Sequence, residues 1–320
     1  MTPPVVYIAL QQFCEHDERP RRLLIETGFE VRQNTLGHRL TREEMPDALR
    51  DADAIIAGVE PYEAALLAAL PRVRCISRCG VGTDAIDLKA AHRQGVAVYT
   101  SDEEVVEPVA QLTLAMILAL ARNIPQHVTE ARAGVWKKRT GALLSDWTIG
   151  LVGFGRIGRR VARYLQPFAP RIVVADPRLT GADVPDPVRL CDLPALLRES
   201  DVVSLHASRG PREGALIGRE ELAAMKRGSY LVNTARGFLL DEAALHEALV
   251  AGRLAGAALD VFEEEPYRGP LSRLPQALCT PHIATLTRAS RAAMELRCAR
   301  QIVEHFASAP AATPGLRSPG

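Results

Sequence analysis

The sequence predicts an α/β protein of two doubly wound parallel sheets arranged as two domains. Three observations carry this. Short runs rich in β-branched and other apolar residues alternate with helical patterns along most of the chain, as in strand–helix–strand units. A glycine-rich turn separates one such run from the helix that follows, and an acidic residue ends the next run. The length of 320 residues suits two domains of ordinary size, each with its own core.

In the first half, strands are expected at 5–10, 29–35, 54–57, 73–77 and 96–99. Helical patterns at 21–26, 42–50, 62–70 and 87–93 separate them, and Gly95 stops the last. Short loops make this one compact parallel sheet. Gly80, Val81 and Gly82 follow the fourth strand, so their backbone N–H groups should lie at the sheet's carboxyl edge, where open α/β sheets bind ligands. Arg78, at the end of that strand, is a cation suited to a carboxylate or phosphate.

A long apolar helix is expected at 105–121, at the crossing into the second domain. Its most apolar stretch, 112–121, is about half of what a bilayer requires, so it reads as a buried helix. Residues 123–144 then carry scattered charge around Trp136, a side chain suited either to local packing or to anchoring an interface.

The second sheet is organised around residues 147–176. The run Thr148-Ile149-Gly150-Leu151-Val152 breaks into Gly153-Phe154-Gly155-Arg156-Ile157-Gly158 and continues with helical spacing. The first glycine permits a tight turn, the second lets a pyrophosphate approach the backbone, and the third brings the helix close to the strand. The N–H groups of the helix start, at Arg156 and Ile157, face the phosphates. Asp176, eighteen residues beyond Gly158, ends the next strand. A carboxylate there accepts hydrogen bonds from a ribose 2′-OH, which favours NAD over NADP.

After Asp176 four polar groups each follow an apolar strand: His206, Arg236, Asp260 and His282. In a parallel sheet these strand ends share one edge with Gly153 and Asp176, so they should converge on the nicotinamide end. Oxidising a hydroxy acid beside NAD needs a cation for the carboxylate, a base for the hydroxyl proton, and a hydride acceptor. Arg236 offers a planar fork of donors, His282 titrates in the working range, and Glu265 is placed to orient an imidazole. Asp241 is expected to cap a helix that ends before Gly252, and a last helix at 288–306 precedes a tail expected to fray from Ala307.

Bulk properties narrow the partners. A net charge of +1 with mixed signs gives no electrostatic footprint for nucleic acid or an anionic membrane, which leaves small-molecule chemistry. Six cysteines without a C-x-x-C motif fit reduced thiols, no export signal is visible, and no metal is expected. A cytoplasmic protein is expected.

The blocks SRCGVGTDAIDLKAA (77–91), GLVGFGRIGRRVA (150–162), LVNTARGFLLDEAALHEAL (231–249), GAALDVFEEEP (256–266) and TPHIA (280–284) resemble the D-isomer-specific 2-hydroxyacid dehydrogenases. The resemblance implies a Rossmann NAD-binding domain (101–285) and a discontinuous, flavodoxin-like substrate domain (1–100 plus 286–320), with the active site in the cleft between them. It implies that Arg236, Glu265 and His282 are catalytic and that Asp260 lies near the nicotinamide carboxamide. The expected cofactor residues are Gly153, Gly155, Arg156, Ile157, Gly158, Asp176, His206, Thr234 and Asp260. The expected substrate residues are Arg78, Val81, Gly82 and Arg236. A homodimer is implied, compatible with the helix at 105–121 and Trp136.

Two positions depart from the family pattern: Gln111 replaces a common glutamate, and Phe238 replaces a second glycine two residues from Arg236, adding bulk. The expected activity is that of an NAD-dependent D-2-hydroxyacid dehydrogenase on the phosphoglycerate dehydrogenase branch. Hydroxypyruvate/glyoxylate reductase and phosphonate or phosphite dehydrogenase are alternatives within the enzyme class. A non-catalytic NAD(H)-sensing regulator is the alternative outside it, and the Arg236, Glu265 and His282 set argues against that. Selectivity is expected from first-domain side chains such as Gln11, Gln12, Glu60 and Tyr62.

Overall fold

The computed structural model describes residues 2–208 and 214–308. Two compact units divide the chain: Met1–Val105 with Thr287–Gly320, and Val106–Leu286.

The first unit holds a five-stranded parallel sheet of β1 (Val5–Ile8), β2 (Glu30–Gln33), β3 (Ala54–Ala57), β4 (Cys75–Arg78) and β5 (Ala97–Thr100), in the order β2-β1-β3-β4-β5. Its central strand β3 is wholly apolar and wholly buried, as a strand covered on both faces must be, whereas edge strand β2 alternates exposed and half-buried positions. Asp53 accepts a hydrogen bond from the N–H of Val5 at 2.8 Å, tying the amino ends of β1 and β3. Asp87 caps helix Leu88–Arg93 through the N–H of Ala90 at 2.9 Å, and Gly95 takes the left-handed turn after it (φ +71°). Helices are shorter than their patterns suggest: 42–50 contracts to Met45–Leu49 and 62–70 to Ala64–Ala68, because Tyr62 pairs as an isolated bridge with Ile86. The last helix runs Arg288–Ser308, and the rest of the tail expected to fray lies outside the described residues.

The second unit holds a seven-stranded parallel sheet of β6 (Thr148–Val152), β7 (Arg171–Ala175), β8 (Arg189–Leu190), β9 (Val202–Leu205), β10 (Tyr230–Asn233), β11 (Gly256–Leu259) and β12 (Ala277–Cys279). Their order is β12-β11-β10-β9-β6-β7-β8, so the winding reverses between β6 and β9. Buried apolar residues line both faces, one cluster centred on Leu231, Leu245 and Leu259 and the other on Ile117, Leu151 and Val174. Asp241 caps Glu242–Val250 through Ala244 at 2.9 Å, and Gly252 follows with φ +63°.

The stretch 123–144 departs from the expected connecting segment, since it contains a helix, Ile124–Arg132. Pro125 is its one buried residue, so no apolar stripe marks it in the sequence. Trp136, 89% exposed, takes no part in local packing. Among the described residues no single helix is long and apolar enough to cross a membrane.

Candidate active site

The carboxyl edge of the second sheet gathers the polar groups that follow its strands. β6 runs into the glycine turn at the point where the winding reverses, the usual ligand position of an open α/β sheet. Gly153 has φ +92°, and a Cβ there would lie 2.7 Å from the carbonyl of His206, so no side chain fits between β6 and β9. A Cβ on Gly158 would stand 2.4 Å from the carbonyl oxygen of Gly153, which is why the helix Arg156–Leu165 can close onto the strand. Gly155 precedes that helix and faces open space, leaving an approach to the N–H groups of Arg156 and Ile157.

Asp176, buried directly after β7, accepts from the N–H of Phe154 at 3.0 Å and of Arg178 at 3.1 Å, with the Arg178 guanidinium at 3.3 Å. Burial pushes its carboxyl upward, but these donors outweigh burial and hold it below the ordinary range. The acid therefore stays ionised and braced against the glycine turn. His206, after β9, meets the Ser204 hydroxyl through Nε2 at 2.9 Å, while its enclosed Nδ1 has no hydrogen-bond partner among the described residues. Burial lowers its pKa to about 4, so the ring is neutral in the working range. Thr234, after β10, meets Thr113 of helix Val106–Ala121 hydroxyl to hydroxyl at 2.8 Å. An open glycine cradle, an ionised acid at the next strand end and an orphaned ring nitrogen fit a dinucleotide.

The neighbouring strands β10, β11 and β12 carry the acid–base groups. His282 Nδ1 lies 2.9 Å from Glu265 Oε2 and 3.2 Å from Oε1. Glu265 is itself fixed by the N–H of Phe262 at 3.2 Å. His282 has φ +54°, a left-handed conformation that a non-glycine residue keeps only where its surroundings over-determine it. Those surroundings belong mainly to Asp260: its carbonyl accepts the His282 N–H at 2.9 Å, and its carboxylate accepts Thr280 Oγ1 at 2.6 Å, Ile283 N at 2.8 Å and Ala284 N at 2.9 Å. Asp260 is fully buried, so the side chain is committed to the turn that presents His282.

Arg236 follows β10, with its carbonyl held by Asn233 Nδ2 at 2.9 Å and its guanidinium donating to the Ala235 carbonyl at 2.7 Å. The next residue, Gly237, touches the loop that leads to Glu265: a Cβ would fall 1.9 Å from the carbonyl carbon of Phe262 and 2.2 Å from the nitrogen of Glu263. Glu242 latches the same loop from the far side, accepting the Glu263 N–H at 2.7 Å. Neither Gly237 nor Glu242 is singled out by the sequence alone. A glycine next to Arg236 and an acid in a first helical turn were the only signals for them. Phe238 packs against the unit's core, which gives its bulk a structural use.

In the first unit, Arg78 ends β4 and turns its guanidinium back toward its own loop, donating to the Cys79 carbonyl. Gly80 lies beneath it with φ +144°, while Val81 is exposed and Gly82 half-buried. Gln11 and Gln12 are exposed after β1 and Glu60 is buried after β3. Tyr62 is sealed in the hydrophobic core, so the expected selectivity role does not suit it.

A doubly wound sheet with a glycine cradle at its switch point defines a dinucleotide-binding domain. Residues 114–284 match the family model described as D-isomer specific 2-hydroxyacid dehydrogenase, NAD binding domain. The chain belongs to that family, and its cofactor is NAD. It is 36% identical to a D-3-phosphoglycerate dehydrogenase of Methanocaldococcus jannaschii over 82% of this chain and 51% of that one. It is 35% identical to a hydroxypyruvate reductase of Thermotoga maritima over 83% and 87% of the two chains. The crystal structure of the TT0316 protein from Thermus thermophilus superposes with a TM-score of 0.85 at 35% identity, covering 95% of this chain and 97% of that one. The chain spans about half the length of the phosphoglycerate dehydrogenases it matches.

Proposed function

We propose that the chain is an NAD-dependent D-2-hydroxyacid dehydrogenase that interconverts a small 2-oxo acid and its D-2-hydroxy acid. The observation that carries the reading is the Glu265–His282 pair at 2.9 Å, on a turn clamped by Asp260 at the same sheet edge as the glycine cradle. A protein that only senses the cofactor has no use for a braced proton carrier.

NAD, when bound, supplies hydride to the carbonyl carbon or accepts it from the hydroxy acid. The turn 153–158 and Asp176 would hold it, with the neutral His206 and Thr234 at adjoining strand ends. In the reducing direction the Arg236 guanidinium binds the substrate carboxylate and polarises the carbonyl. Protonated His282 gives its proton to the carbonyl oxygen, and Glu265 holds the ring in place. The first unit, with Arg78, Val81 and Gly82 at the carboxyl edge of its own sheet, is the substrate-binding one in this reading. His282→Ala should lower kcat at least about a hundredfold, as expected for the loss of general acid–base catalysis. Normal turnover by that variant would remove His282 from the mechanism.

The protein works as a cytoplasmic homodimer in this reading. The support is its free cysteines and a set of exposed apolar side chains, Ile124, Val128, Val135, Trp136 and Leu143, on one stretch of the second unit. Sedimentation should give twice the chain mass, and Trp136→Ser should shift it toward the monomer.

A further inference from the structure

The chemistry at the carboxyl edge of the first sheet bears on which acids the enzyme accepts, an inference that rests on the reading of this unit as the substrate-binding one. β3 and β4 are adjacent, with Ala57 opposite Arg78, and the Cys79 N–H bonds the Ala57 carbonyl at 2.9 Å. The loop 58–60 therefore leaves the sheet beside the loop 79–82. Neighbouring strands are about 5 Å apart, so the two loops leave the sheet side by side.

The side chains they bring there are distinctive. Val59 and Val81 are exposed at 38% and 39%, large apolar groups at two adjacent loop tips. Glu60 is 3% exposed, and its carboxylate accepts the Gly58 N–H at 2.9 Å. Gly58 has no room for a side chain, since its Cβ would lie 2.9 Å from Glu60 Oε2 and 3.1 Å from Leu10 Cδ2. The carboxylate is thus fixed in place. Burial raises its pKa, while Arg39 and Arg78 are close enough to oppose that electrostatically. The Arg78 guanidinium itself is engaged with the Cys79 carbonyl. That guanidinium is thus turned back onto its own loop.

We propose that Glu60, with Val59 and Val81, selects a short 2-oxo acid whose far end is uncharged, and turns away one that carries a second anion, whether phosphate or carboxylate. A second anion there would lie against two exposed apolar side chains, with a buried carboxylate held beneath them by the Gly58 N–H. A hydroxymethyl or methyl end loses nothing there.

The test compares kcat/KM for NADH-dependent reduction of hydroxypyruvate, phosphohydroxypyruvate and oxaloacetate by the full chain. Wild type should favour hydroxypyruvate at least tenfold over each of the two doubly anionic acids. Glu60→Gln keeps the acceptor for Gly58 and removes the charge, and should raise the phosphohydroxypyruvate/hydroxypyruvate ratio at least tenfold. Val59→Arg, at an exposed position that does not threaten folding, should raise the same ratio by a similar factor. A wild-type preference for phosphohydroxypyruvate would overturn the proposal, as would ratios unmoved in both variants. Silence on all three acids in a protein that binds NADH would overturn the dehydrogenase reading, and this inference with it.

Discussion

Glu265 reaches the reaction through His282, and Glu265→Ala tests that role. The variant removes the partner of His282 Nδ1, 2.9 and 3.2 Å away, and also the acceptor for the Phe262 N–H. A hydrogen bond to a charged group contributes about 1.5–3 kcal/mol. The His282 and Glu265 side chains are 43% and 34% exposed, so solvent screening reduces the value to about 1–1.5 kcal/mol. At about 1.4 kcal/mol per decade, kcat should fall roughly fivefold to tenfold. The assay is steady-state NADH consumption at saturating hydroxypyruvate for wild type, Glu265→Ala, His282→Ala and the double variant. Because the carboxylate works only through the imidazole, the double variant should be no slower than His282→Ala alone. Losses that multiply would show that Glu265 acts on the substrate or cofactor independently, and the reasoning would be wrong.

Gly237→Ala would force a methyl against the backbone of Phe262 and Glu263; calorimetry should register a loss of about 1–3 kcal/mol, as for an overpacked core, together with lost activity. Asp260→Ala strands the N–H groups of Ile283 and Ala284 and unties the turn under His282, so it should cost about 2–4 kcal/mol and abolish turnover even where the protein remains folded. Asp176→Ala should abolish the preference for NAD over NADP; an unchanged ratio of kcat/KM values would remove Asp176 from cofactor selection. His206 has a folded pKa of about 4 against an ordinary 6.5, so the unfolded chain binds the extra proton first as pH falls. Stability should therefore decline between about pH 6.5 and 4, by at most about 3 kcal/mol, and His206→Gln should flatten the dependence of Tm on pH in that window.

The sheets were legible because buried parallel strands are continuous apolar runs: 54–57, 148–152 and 171–175 coincide with β3, β6 and β7. β1 and β2 are shorter than their runs, since the residues beyond Ile8 and Gln33 already belong to the edge loops, and β5 is displaced by one residue. β8 has only two residues and no apolar run, and the helix Ile124–Arg132 has no buried stripe, so neither left a periodic signal. At the site, residue type and strand-end position disclosed His282, Arg236 and Asp260, but not how they are held. That Asp260 spends its carboxylate on the turn at 280–284, or that Glu242 latches the loop of Glu265, depends on contacts between segments distant in sequence. Tyr62 misleads for the converse reason: a polar tip on a mostly apolar body reads as a contact residue, and packing encloses it completely.

The central claim is that this edge transfers hydride to a 2-oxo acid with one handedness. The most direct measurement is NADH consumption with hydroxypyruvate and glyoxylate, followed by chiral analysis of the glycerate formed from hydroxypyruvate. The account predicts turnover of both acids, abolished in His282→Ala, with D-glycerate as the product. Tight NADH binding without turnover on either acid, or formation of L-glycerate, would contradict it.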